Sequence, residues 1–242
     1  MPEQIEKRTF EDIAAEIGTS PSYIEKDYYA VRILNALSKI VYENASLVFT
    51  GGTCLSKGYK LIKRFSEDID FRIHTIVDYS RQERKDIREY IISKIKALPD
   101  FKYMDSSLKK LNDRRFFSFD VAYPRLFNDD SIRNDLRLEF TMENVLLPTN
   151  ICNIRSIAAE YEAVTETATE INCISHIEIG ADKLSAFMWR VIKRDRTKAL
   201  FDSENDPTII RHLHDLAALE KVIVGSEDFI KSFKSIRIRS IS

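Results

Sequence analysis

Alternation of apolar and polar residues marks the middle of the chain. EDIDFRI, residues 67–73, sets Ile69, Phe71 and Ile73 against Asp68, Asp70 and Arg72, the period of a half-buried strand. ASLVFT (45–50), RFFSFDVAY (115–123) and DLRLEFTM (135–142) read as further strands, and IRSIAAEY (154–161) as another. Helical periodicity brackets this region. A short helix, a turn at Gly18–Pro21 and a longer helix with an apolar stripe (Ile24, Tyr28, Val31, Ile33, Leu34, Leu37) open the chain. Ser20 and Pro21 supply an N-cap and a first-turn residue. Residues 53–64 fit a helix with Leu55, Tyr59 and Ile62 inward, and an amphipathic helix covers about 80–98. From about residue 179 three helical segments follow. The expectation is an α+β fold: a mixed sheet flanked by helices over residues 1–165, then a helical part over 166–242, with a soft boundary near 165–178.

Composition narrows the class. With 44% hydrophobic and 31% charged residues the chain can build a core and is not disordered in bulk. A net charge of −1 gives no global attraction for nucleic acid, so any polyanion site must be a local patch. Three scattered cysteines, Cys54, Cys152 and Cys173, fit neither a disulfide framework nor a CxxC zinc site and read as buried residues in a reducing compartment. No apolar run approaches the roughly 20 residues of a membrane span. The first residues, MPEQIEKRTF, are too charged for a signal peptide, so a cytoplasmic location is expected.

The chemistry concentrates in FTGGTCLSKGYKLIKRFSEDIDF, residues 49–71. A strand, two glycines and a helix start present backbone N–H groups to an anion. Thr53 can cap that helix or donate its hydroxyl to a phosphate, and Lys57, four residues on, shares its face. A tight turn without a ligand is the plain alternative, and the Walker pattern is absent. Asp68 and Asp70 lie two apart on one strand face, costly unless solvated or bound to a hard cation. A third carboxylate is needed from a neighbouring strand. Glu139, in the polar row of DLRLEFTM, is preferred, with Asp120 as the rival.

These residues resemble the nucleotidyltransferase superfamily, whose pattern is hG[GS] followed by Dh[DE]h. More narrowly, IEKDYYAV (24–31), GGTxLxK, RFSEDID (64–70), LRLEF (136–140), ADKLSAFMWR (181–190) and RHLHDL (211–216) are similar to blocks of the AbiEii/AbiGii-type toxin family, in order. The resemblance implies that Asp68, Asp70 and Glu139 hold Mg²⁺ (or Mn²⁺), and that Gly51, Gly52, Thr53 and Ser66 line an NTP triphosphate with Lys57 beside it. Lys183 and Asp215 are then the additional active-site pair. The usual Glu-Lys is Asp182–Lys183 here, and the usual Arg-Asp is Arg211–His212.

The implied activity is metal-dependent transfer of a nucleoside monophosphate to an RNA acceptor, with the 3′ end of tRNA as the expected hydroxyl. The implied partner is an antitoxin that need not touch the toxin. Basic residues from Lys183 through Arg190 to Arg196, and KKLNDRR (109–115), suit an RNA backbone or a solvated face. Trp189 reads as core rather than as a base-stacking platform, and His212 and His214 do not share a helix face for a metal. Two rivals remain: the same site acting on a protein or small-molecule hydroxyl, and a non-catalytic nucleotide- or DNA-binding module resting on the helix-turn-helix-like start. That second rival is weakened by Glu25, Lys26 and Asp27, a poor set for reading bases.

Overall fold

Period-two alternation builds a seven-stranded mixed sheet. A computed structural model describes residues 5–64, 66–113, 115–161, 169–193 and 209–239. Along the chain, α1 (Lys7–Ile17) and α2 (Pro21–Ser38) precede β1 (Ala45–Thr50). A helical turn α3 (Gly51–Thr53) runs into a π-helical turn, Cys54–Gly58, before β2 (Asp68–Thr75), α4 (Arg81–Lys96), β3 (Lys102–Leu111) and β4 (Phe116–Ala122). Then come β5 (Leu136–Met142), β6 (Asn150–Ile154), α5 (Ile157–Glu160), β7 (Thr169–Cys173), α6 (His176–Lys193), α7 (Ile209–Ile223) and α8 (Glu227–Arg239). The strand order is β3-β4-β5-β2-β1-β7-β6. β2 pairs with β1 antiparallel and with β5 parallel, which makes it the central carrier of the site.

Four phenylalanines set the register. Phe49 pairs with Phe71, Phe71 with Phe140 and Phe140 with Phe117 across four adjacent strands. The Phe117–Phe140 and Phe71–Phe140 rings stack with centroids 4.8 and 5.7 Å apart. All four are buried, with Ile69, Ile73 and Leu138 on the same face. A strand slipped by one residue would turn this row to the opposite face.

The helix at 53–64 is shorter than its sequence suggests. It ends at Gly58, and Lys60 takes a left-handed φ of 55° to turn the chain toward β2. Of residues 154–161, Ile154 ends β6 and Ile157–Glu160 form the short α5 rather than a strand, because the Ser156 hydroxyl accepts from the Ala159 N–H and caps a helical turn. β3, β6 and β7 carry weak alternation and escaped the sequence pattern. β7 comes from the segment expected as the boundary and joins the sheet between β1 and β6.

α2 is not a recognition helix. Ser22, Ile24, Glu25, Lys26 and Asp27 are all buried, so its would-be base-reading positions face protein. Lys26 donates to Glu67 Oε2 and the Arg133 carbonyl, each at 2.7 Å, and Asp27 accepts from the Ile157 N–H. Trp189, expected inside, is 57% exposed. Lys183 is buried and does not contribute to a basic surface, while Arg194 and Arg196 lie outside the described residues. Among the described residues no helix is long and apolar enough to cross a membrane.

Phe140→Ala should therefore cost about 3–5 kcal/mol of unfolding free energy in a denaturant titration. Trp189→Ala, at an exposed site, should stay within about 0.5 kcal/mol.

Candidate active site

The polar face of the sheet is one residue out of step with the phenylalanine row. Thr50, Asp70, Glu139 and Ser118 sit side by side on β1, β2, β5 and β4. Asp70 and Glu139 face a cleft of about 310 Å³ that is also lined by Gly51, Gly52, Lys183 and His212. Neither carboxylate has an ion-pair partner among the described residues. Burial and the neighbouring charges of Glu139 and Asp68 push the Asp70 pKa up to about 8, against the pull of Lys183 and Arg64. Burial and then the Asp68 charge raise Glu139 as well. An unneutralised carboxylate pair at the floor of an open cleft is a donor set for a hard divalent cation.

Asp68 shares their face but bonds to Arg133 Nη1 at 2.9 Å. Among the described residues no three His, Cys, Asp or Glu side chains already enclose a metal position, and Asp68 must exchange Arg133 for a cation to complete one. Asp120, the rival to Glu139, is clamped by Arg137 through two hydrogen bonds of 2.8 and 2.9 Å, which hold its pKa low.

The diglycine turn is shaped by what lies against it. Gly51 has φ 78°, and a Cβ there would stand 1.9 Å from Asp70 Oδ2. A Cβ on Gly52 would come within 2.8 Å of Ser66 Oγ and 2.9 Å of Arg64 Nη2. Only glycines let this backbone lie against the carboxylate and between those two side chains. Thr53 is differently employed from its sequence expectation. Its buried hydroxyl donates to the Asp68 carbonyl at 2.5 Å, tying the turn to the start of β2 rather than facing the cleft. Lys57 points away too and pairs with Asp27, and neither Lys57 nor Ser66 lines the Asp70 cleft.

α6 supplies the opposite wall. Arg72, two residues after Asp70, pairs with Glu178 and with Asp182 at 2.5 Å, so this helix is fastened to the strand that carries the carboxylates. Glu178 also accepts the Leu146 and Leu147 N–H groups. Burial lifts the Asp182 pKa to about 6 despite Arg72. The next residue, Lys183, enters the cleft and bonds Asp215 Oδ2 at 2.6 Å. Asp215, fully buried on α7, also takes both arms of Arg64 at 2.6 Å. Burial acts to raise its pKa, but the Arg64 hydrogen bond and the Lys183 charge outweigh it, and the group stays ionised. Asp215 is thus a counterion behind the cleft wall. Arg64 and Arg72 were not singled out from the sequence; Arg72 continues the Asp68–Asp70 row, which was the available signal.

Gly51→Ala should lose about 1–3 kcal/mol of stability in denaturant, or more, from the left-handed φ and the collision with Asp70. Asp70 titrates near 4 when unfolded and near 8 when folded. Its contribution to stability is complete below about pH 4 and is lost as pH climbs to about 8. In metal-free thermal melts the advantage of Asp70→Asn over the parent should therefore grow across that range. Adding Mg²⁺ should narrow it at the alkaline end.

Residues 32–239 match the family described as "Nucleotidyl transferase AbiEii toxin, Type IV TA system". No curated protein matches the sequence. Among solved structures the fold is similar to MenT4, a nucleotidyltransferase toxin from Mycobacterium tuberculosis H37Rv, with a TM-score of 0.51 and 19% identity. That match covers 74% of this chain and 58% of that one, so the chain spans little more than half of that protein's length. With the family match running over most of its length, the chain belongs to the AbiEii nucleotidyltransferase toxin family.

Proposed function

We propose that the protein transfers a nucleoside monophosphate from an NTP to an RNA hydroxyl, the 3′ end of tRNA, as the toxin of a type IV toxin–antitoxin pair. The observation that carries this reading is the Asp70–Glu139 pair, adjacent on parallel strands and without an ion-pair partner among the described residues. It faces a cleft with a diglycine turn on one side and Lys183 on the other. Mg²⁺ or Mn²⁺ would be held by Asp70 and Glu139, with Asp68 once it leaves Arg133. When bound, the ion lowers the pKa of the attacking hydroxyl and offsets charge on the phosphates.

The chain's own groups position the reactants. Backbone N–H groups of the diglycine turn receive the polyphosphate, since the absence of Cβ atoms brings that backbone against Asp70. Lys183, held by Asp215, presents its ammonium to the phosphates as the bond between the α-phosphorus and the pyrophosphate oxygen breaks. α6 keeps this charge in place because Arg72 pins it to β2. In-line attack by the acceptor hydroxyl on the α-phosphorus releases pyrophosphate.

Incubation with each of the four α-labelled NTPs, Mg²⁺ and total RNA should place label in RNA of tRNA size. Asp70→Asn and Glu139→Gln should each lower the rate by on the order of 10²-fold or more, with melting profiles that show a folded chain. Label in protein instead would move the acceptor to a protein hydroxyl. No label with any NTP would overturn nucleotidyl transfer itself.

A further inference from the structure

A second cleft, of about 630 Å³, adjoins the diglycine turn on the other face of the sheet. Its lining includes Ile69 and Leu136, members of the apolar rows opposite Asp70 and Glu139, together with Tyr23, Thr53 and Ser66. The two clefts share no lining residue, but one ionic bridge joins them: Arg64 lines the larger, Lys183 the smaller, and Asp215 binds both.

The larger cleft is cationic in excess. Lys26, Lys57, Lys60, Lys63, Arg64 and Arg155 line it, against Asp27, Glu67 and Glu160. Three of these cations are neutralised within the fold: Lys26 by Glu67, Lys57 by Asp27 and Arg64 by Asp215. The surplus falls on the other three, all exposed. Lys60 reaches Glu160 only at 3.5 Å, across an exposed pair, and Lys63 and Arg155 have no ion pair among the described residues. Lys60 also holds a left-handed φ of 55°. Glycine or asparagine adopts that conformation more readily, so the turn alone does not account for a lysine there.

We infer that this cleft binds the phosphodiester backbone of the RNA acceptor, through Lys60, Lys63 and Arg155. Exposed cations distributed along a groove track a run of phosphates and bind one compact anion poorly, because the affinity comes from the number of phosphates neutralised. A strand lying here crosses the Arg64–Ser66 edge, where both side chains flank Gly52, to bring its terminal hydroxyl to the carboxylates. The inference rests on RNA being the acceptor, and the NTP triphosphate is the competing source of phosphate.

The test is the triple variant Lys60→Asn, Lys63→Gln, Arg155→Gln of the full chain, with asparagine chosen to suit the left-handed backbone. Binding is measured in an Asp70→Asn background, by anisotropy of a fluorescent single-stranded RNA about a dozen nucleotides long, and NTP kinetics in the active background. RNA affinity should fall about tenfold or more near 0.1 M salt. The slope of log affinity against log salt should become shallower by up to about 2, at roughly 0.7 for each phosphate that the variant no longer neutralises. The KM for NTP should hold. Unchanged RNA affinity and slope, or no RNA binding by the parent, would overturn the assignment. A raised KM for NTP with RNA affinity intact would also overturn it, giving the cleft to the triphosphate. If parent and variant bind RNA alike while the parent still labels RNA, transfer to RNA survives and only the cleft assignment falls. If the variant loses RNA binding while the parent labels protein, the cleft is an RNA-binding surface but not the acceptor's, and the inference falls together with the acceptor reading.

Discussion

The packing of Phe49, Phe71, Phe140 and Phe117 across four strands is the constraint on which the rest of the molecule depends. Each ring pair contributes about 0.5–1.5 kcal/mol beyond the area it buries, but its larger effect is on alignment. Side chains alternate with a period of two, so placing these rings in the core places Thr50, Asp70, Glu139 and Ser118 in one line on the other face. Two carboxylates side by side repel, and a sheet left to relieve that repulsion would shift. The aromatic row prevents it. The polar row is thus held in place by dispersion and burial on the opposite side of the sheet.

Ion pairs do the corresponding work between sheet and helices. Arg72 stands in the same row as Asp70 and is itself buried, and it takes Glu178 and Asp182 from successive turns of α6. Buried ion pairs seldom add much net stability, since desolvation cancels most of the attraction. They do penalise misplacement heavily, because a displaced helix would leave a buried guanidinium unpaired. The Arg64–Asp215–Lys183 bridge applies the same logic to α7 and the segment before β2. Cleft geometry is therefore set by electrostatics inside the protein, with the open carboxylates as the exception.

Much of this was legible from residue order. The strands with clean alternation, β2, β4 and β5, and the helices α2 and α4 fall where their patterns put them, and the diglycine turn meets Asp70 of the DID triplet. What escaped had physical reasons. β3, β6 and β7 carry polar or exposed residues on both faces, so no apolar period announces them. Lys57 and Thr53 have the right spacing for a phosphate site. Spacing cannot reveal that Asp27 of α2 claims the lysine first, or that a backbone carbonyl of β2 claims the threonine. Glu25, Lys26 and Asp27 read as a poor set for base recognition, but what buries them was hidden because their partners come from residues 67, 126, 133 and 157. Trp189 lies outside because the buried part of α6 is its first half, Glu178–Ala181 and Lys183, and no position from 184 to 190 is fully buried.

The bridge through Asp215 also has a consequence for how the molecule comes into being. Arg64 and Asp215 are separated by 151 residues, so at about 5–20 residues per second a nascent chain carries its diglycine turn and Asp70 for on the order of ten seconds before their cationic wall exists. During that interval Arg64 lacks the carboxylate that fixes it in the finished fold, and Lys183 is either unmade or unanchored. A ribosome synthesising this chain does not meet an assembled cleft until Asp215 has been added.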